Sequence, residues 1–153
     1  MKKFEFSLQS VFEYKQTVEK DQKAELSRAE AVLRELRERE QALDEAFRRN
    51  SEEQDAVLER GVDIVSELEK FAAFFRHVRE EKEILRVKIE NAEEVKARCQ
   101  ARLIVTMREL KTYRKLRDEQ YARYLKDVET EEEKEMNDHV SFTSATAGER
   151  KNS

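Results

Sequence analysis

A chain of 153 residues that is 43% charged and 38% hydrophobic, with no Trp and no Pro, has room for one domain but not for an ordinary globular core. Its 31 basic and 35 acidic residues leave a net charge of −4, which gives no overall case for nucleic acid as a partner. The single cysteine, Cys99, rules out an intrachain disulfide and fits a reducing compartment.

The chain reads as helix 1 over about residues 4–60, a turn at about 60–65, helix 2 over about 64–138, and a disordered polar tail over 141–153. Helix 1 opens between Phe4 and Ser7, with Ser7 as the candidate N-cap and Ser10 as the alternative. Leu8, Val11, Lys15, Val18 and Gln22 follow the alternating three- and four-residue steps of a coiled-coil seam. A second frame runs from Leu26 through Ala29, Leu33, Leu36, Glu40, Leu43, Phe47, Asn50, Gln54 and Val57. The extra step between Val18, Gln22 and Leu26 is a stutter, which relaxes the supercoil locally. Charge runs such as Arg34 to Glu40 permit i,i+3 and i,i+4 pairs on the outer face. The seam turns polar at Asn50 and Gln54, as either a register device or a fraying end.

Gly61 is the one internal glycine, and glycine is favoured just past a helix C-terminus because it adopts positive φ without a steric penalty. Asp63 or Ser66 is then placed to cap the next helix. Helix 2 carries the longer seam: Ile64, Leu68, Phe71, Phe75, Val78, Lys82, Leu85, Ile89, Ala92, Lys96, Cys99, Leu103, Thr106, Leu110, Tyr113, Arg117, Gln120 and Tyr124. Folding back at Gly61 sets Phe4 opposite the region of Ala122 and leaves about residues 123–139 over as an acidic overhang. The fold class is therefore all-α, two long helices forming an antiparallel coiled-coil hairpin with a longer second helix, over residues 1–140. No apolar run is long enough to cross a bilayer, and Met1 to Phe6 has no signal-peptide core, so a cytoplasmic location is expected.

The pattern offers no chemistry. His77 and His139 are far apart and neither has metal-ligand spacing with Cys99 or with the other. Cys99 takes a seam position, where a small inert hydrophobe belongs. There is no phosphate-cradling glycine loop and no nucleophile elbow, so the chain reads as not an enzyme, with no cofactor and no metal.

Three surface features stand out. Phe71, Phe74, Phe75 and Val78 cluster just past the turn, either closing the hairpin tip or anchoring a partner. Lys96, Arg98, Arg102, Arg108, Lys111, Arg114, Lys115 and Arg117 form a basic stretch broken only by Glu109. That stretch suits a solvated flank or an acidic protein surface better than nucleic acid, for which it lacks a stacking motif. Both chain ends fall at one end of the hairpin, a form that can enter a ring. A seam alone does not set helix orientation, so a homodimeric structural spacer is the competing reading.

The opening Phe4-x-Phe6-x-Leu8-x-x-Val11-x-x-Tyr14-Lys15, then Glu19 and Ala24-x-Leu26-x-x-Ala29, resembles the N-terminal signature of the flagellar export FliJ family. Gly61 followed by Phe71-Ala72-Ala73-Phe74-Phe75, and Leu116, Tyr121 and Glu131 to Asp138, extend the likeness over nearly the whole chain. Phe71 stands where that family often has Tyr, and Met136-Asn137-Asp138 where it tends to have Leu or Met before Asp-Glu. The resemblance implies a non-enzymatic coiled coil of the flagellar type III export apparatus, similar to a rotary ATPase stalk. It implies binding and activation of the hexameric flagellar export ATPase, a link to the export gate membrane protein, and escort of flagellar export chaperones. It places the protein in the cytoplasm at the inner face of the cell membrane at the flagellar base, without membrane insertion and without nucleic acid. By the same likeness, Phe71, Phe74 and Val78 are the expected gate contacts. Leu8, Val11, Arg114, Lys115 and Arg117 are the expected ATPase-ring contacts.

Overall fold

The computed structural model describes residues 2–61 and 64–151. Two helices, α1 (Gln9–Arg60) and α2 (Ile64–Lys151), account for nearly all of them, and there is no strand among the described residues. The absence of proline, and of glycine within α1, leaves nothing to interrupt either helix. The chain divides into two compact units, one of Met1–Val18 with Thr106–Ser153 and one of Glu19–Val105.

In the Glu19–Val105 unit, Leu33 and Leu36 of α1 meet Leu85 and Ala92 of α2, with Leu43 and Ile89 packed against them. Arg37 bonds Glu93 at 2.7 Å, Asp44 pairs with Lys82, and the rings of Phe47 and Phe75 lie 4.8 Å apart. Position numbers rise along α1 as they fall along α2, so the helices are antiparallel. Gly61 ends α1 at φ 70°, its amide donating to the Val57 carbonyl at 3.3 Å. That is the single-bond left-handed cap, which satisfies one of the carbonyls a helix end leaves open. Asp63, a proposed cap for α2, lies outside the described residues. Ser66 is already inside α2, so it is not the cap.

In the other unit, Phe6, Phe12 and Leu110 form the core, with Phe4, Leu8, Tyr113 and Leu116 against it. The Tyr124 hydroxyl donates to the Lys2 carbonyl at 2.9 Å, Ser7 bonds Gln120, and Lys15 meets Glu109 at 2.5 Å. The expected pairing of Phe4 with the region of Ala122 is present: Phe4 lies 5.1 Å from Tyr121 and 5.6 Å from Tyr124, ring to ring.

Residues 2–8 are not helical. The first i→i+4 bond closes on the Leu8 carbonyl, from Phe12 at 2.9 Å, so α1 begins at Gln9 rather than near Phe4. The spacing Phe4-Glu5-Phe6 explains this. An extended segment turns both rings to one side and Glu5 to the other, whereas a helix would splay the rings apart. Ser7 does not cap; its side chain bonds the Gln120 amide instead, with Nε2 donating at 3.0 Å. The seam frame also needs one correction here. Phe12 is the buried residue at 3% exposure, while Val11 is 41% exposed. The larger ring takes the interior and the step from Leu8 becomes four residues instead of three. In α2 the frame holds throughout: every seam position from Ile64 to Tyr124 is buried or half-buried.

At its far end α2 continues to Lys151, beyond residue 138 and through most of the segment read as a polar tail. Every residue from Glu129 to Ala145 is exposed, so no tertiary packing supports this stretch. The Thr143 and Thr146 hydroxyls bond the carbonyls of His139 and Phe142, both at 2.8 Å. The one glycine there, Gly148, is in the last turn, where it does least to break a helix.

Candidate protein-interaction surfaces

The first surface belongs to the unit that holds the chain ends. Phe4 and Phe6, held by the extended segment, line a groove of about 700 Å³ with Glu5, Gln9, Arg117, Asp118 and Tyr121. The Arg117 guanidinium sits 5.4 Å from the centre of the Phe12 ring. A cation over an aromatic face at this distance is attracted by the ring quadrupole, so Arg117 is pinned by α1 as well as by its own helix. Leu8 is half-buried against the same core.

Arg108, Lys111, Arg114 and Lys115 are exposed on α2, and none of them meets an acid among the described residues. Glu109 is withdrawn from them by Lys15. That hydrogen bond is the main reason the Lys15 ammonium is held above its ordinary range. These four exposed cations lie along one side of α2, with Asp118 and Glu119 one turn beyond Arg114 and Lys115. Of the residues expected at this surface, Val11, Arg114 and Lys115 are exposed, while Leu8 and Arg117 are half-buried supports.

The second surface lies near the turn in the Glu19–Val105 unit. Val78 is only 1% exposed and Phe71 only 8%, so both side chains are spent on packing. Neither is exposed as a first contact for a partner in this conformation. The reason is frame: Val78 is a seam residue pointing at α1. Phe74 stands beside the seam, half-buried, with its ring 5.8 Å from Phe75 in an edge-on arrangement. Phe47 of α1, 41% exposed, joins Phe75 from the other side. Phe47, Ser51, Gln54, Phe75, Arg79 and Lys82 frame a groove of about 530 Å³ with Val78 at its floor. Sequence reasoning placed Phe47 in the seam and missed its exposure. The signal was the polar run that begins at Asn50, which leaves α1 with little apolar surface to bury beside it.

No cluster of His, Cys, Asp and Glu able to hold a metal occurs among the described residues. His77 and His139 are exposed, and Cys99 is half-buried beside Ala29, Ala92 and Val95. Among the described residues, no helix is long and apolar enough to cross a membrane.

The family model described as the flagellar FliJ protein matches residues 4–149. No curated protein and no solved structure matches the chain significantly.

Proposed function

The chain belongs to the flagellar FliJ family and is thus a non-catalytic component of the flagellar export apparatus; from that premise we propose that it is the stalk that binds and activates the hexameric export ATPase, links it to the export gate, and escorts export chaperones. The observation that carries this reading is the run of exposed cations Arg108, Lys111, Arg114 and Lys115, none in an ion pair among the described residues, on the helix that also lines the aromatic groove of Phe4, Phe6 and Tyr121. Fixed cations beside a partly apolar groove suit an acidic protein ring, because they steer encounter while the rings supply contact area.

In this reading Val11, Arg114 and Lys115 touch the ATPase ring, and Leu8 and Arg117 hold the shape of that surface. Phe74, with Phe47 and Phe75 beside it, touches the gate, and Phe71 and Val78 support it from the core. The protein reaches the inner face of the cell membrane at the flagellar base through these partners.

The test is an ATPase assay with the assembled cognate ring. The purified protein should raise ATP turnover without hydrolysing ATP itself, and Arg114→Glu with Lys115→Glu should weaken the effect most at low salt. An unchanged turnover across the full concentration series would overturn the proposal.

A further inference from the structure

The two flanks of the helix pair in the Glu19–Val105 unit are unlike. In an antiparallel pair, residues that follow the seam face one another on one flank, and residues that precede it face one another on the other. The first flank is closed by ionic links: Arg37 to Glu93 across the helices, and Asp44 to Lys82. The second flank is open. There Val32 and Val95 are exposed across from one another at one apolar patch, and Ala42 and Ile84 at a second. Arg39 and Lys88 lie between the patches and both line the second groove. Arg39 holds Glu35 at 2.9 Å, and Lys88 meets no acid among the described residues. Glu25 and Glu81 line the groove only beyond the two patches. Ile84 and Val95 are three turns apart on α2, roughly 17 Å.

One segment of the chain has the matching pattern. Leu125 and Met136 have the same separation in sequence as Ile84 and Val95, and both are exposed, as is Val140 one turn later. Between Leu125 and Met136 lie Glu129, Glu131, Glu132, Glu133 and Glu135 against the single Lys134. Helical spacing puts Glu129 and Glu132 on the face of Leu125 and Met136. The segment therefore offers apolar, acidic, apolar where the groove offers apolar residues on either side of Lys88 and the Arg39–Glu35 pair. Ile84 to Val95 and Leu125 to Met136 belong to one unbroken helix, so a single chain cannot bring them together.

We propose that the Val32–Val95 and Ala42–Ile84 groove takes the 125–140 segment of a second copy of this chain, packed as a third helix with the Glu129 and Glu132 face on Lys88. The contact hides the acidic overhang of one copy and the open flank of the other. It is independent of the ATPase reading, since it needs no partner protein.

Sedimentation of the full chain tests it, from about 1 to 100 µM at low salt. The mass should rise above the 18.3 kDa of one chain as concentration increases, and added salt should shift the midpoint upward. Val95→Glu and Met136→Glu each change an exposed side chain, so circular dichroism should be unchanged. Each should weaken association by about tenfold or more. Lys88→Glu should weaken it too, and Lys88→Glu combined with Glu132→Lys should restore it. A single-chain mass over the whole range would overturn the proposal. So would self-association that Met136→Glu leaves intact, because the groove would then hold something other than this segment.

Discussion

Phe74 and Val78 are one helical turn apart on α2 and should behave in opposite ways. Val78 is 1% exposed, so Val78→Ala removes two methyl groups from packed surroundings. At about 0.8 kcal/mol per buried methylene-sized group, with a residual cavity term, the cost is about 2 kcal/mol. For a chain of this size that is a fall in melting temperature of about 4–8 °C. Phe74→Ala removes a half-buried ring that meets Phe75 edge-on, so it should cost about 1–2 kcal/mol, less than the ~3–5 kcal/mol of a fully buried phenylalanine. Thermal melts of both variants by circular dichroism give the first comparison, and capture of the gate's cytoplasmic domain gives the second. Phe74→Ala should lose capture at temperatures where it is still folded. Val78→Ala should keep capture at temperatures where it is folded. Capture kept by Phe74→Ala, or lost by Val78→Ala while folded, is the contrary result. The assignment of that surface from burial would then fail.

Gly61→Ala should cost about 1 kcal/mol, because a Cβ at φ 70° is strained although nothing lies within 4 Å of it; urea titration reads the change, and a neutral result would move the turn elsewhere. Leu110→Ala, at a fully enclosed site against Phe6 and Phe12, should cost about 2–5 kcal/mol and speed hydrogen exchange first in the unit that holds the chain ends. Lys15 has its pKa raised by Glu109, so the pair's stabilising contribution is complete below the ordinary value of 10.5 and is lost as pH climbs through the higher folded value. Glu83 is shifted the opposite way by Arg86, so its contribution is complete above 4.5 and fades as pH falls through the lower folded value. Both groups are solvent-exposed, so melts of Glu109→Gln and Arg86→Gln should differ little from the parent at neutral pH.

The helix pairing was legible because it depends on one periodic variable. A seam sustained from Ile64 to Tyr124 fixes which face of α2 is buried, and Gly61 then fixes what faces it. What the sequence obscured lies where periodicity stops or two residues compete for one position. Phe4 and Phe6 read as the start of a helix, yet their spacing of two suits an extended strand better. Val11 and Phe12 are adjacent apolar residues, and only the packing against Leu110 decides between them. Val78 is a seam residue whose expected gate contact came from the family likeness, and its side chain is spent on packing. The helix beyond residue 138 has no periodic apolar face to announce it, since no part of the chain packs there. The unlike flanks of the Glu19–Val105 unit were also hidden, because a seam pattern treats the residues before and after it alike.

Gln22 is a further case in which frame and chemistry conflict. It occupies the seam at the stutter between Val18 and Leu26, and its Oε1 is buried without a hydrogen-bond partner. An acceptor taken out of water with nothing in return costs about 1–3 kcal/mol. Gln22 as a whole is only half-buried, so the lower end applies. Gln22→Leu removes that unmet acceptor and adds apolar contact at nearly constant volume, and it should stabilise the chain by about 1 kcal/mol. Polar seam residues also hold register, so the same substitution should broaden the choice of helix pairing. Spin labels at Leu33→Cys and Ala92→Cys, in a Cys99→Ser background, would report the register as a single short distance in the parent. A higher melting temperature with a wider distance distribution is the expected pair of results. A lower melting temperature would show that Gln22 is satisfied, and that its oxygen is not the liability its burial implies.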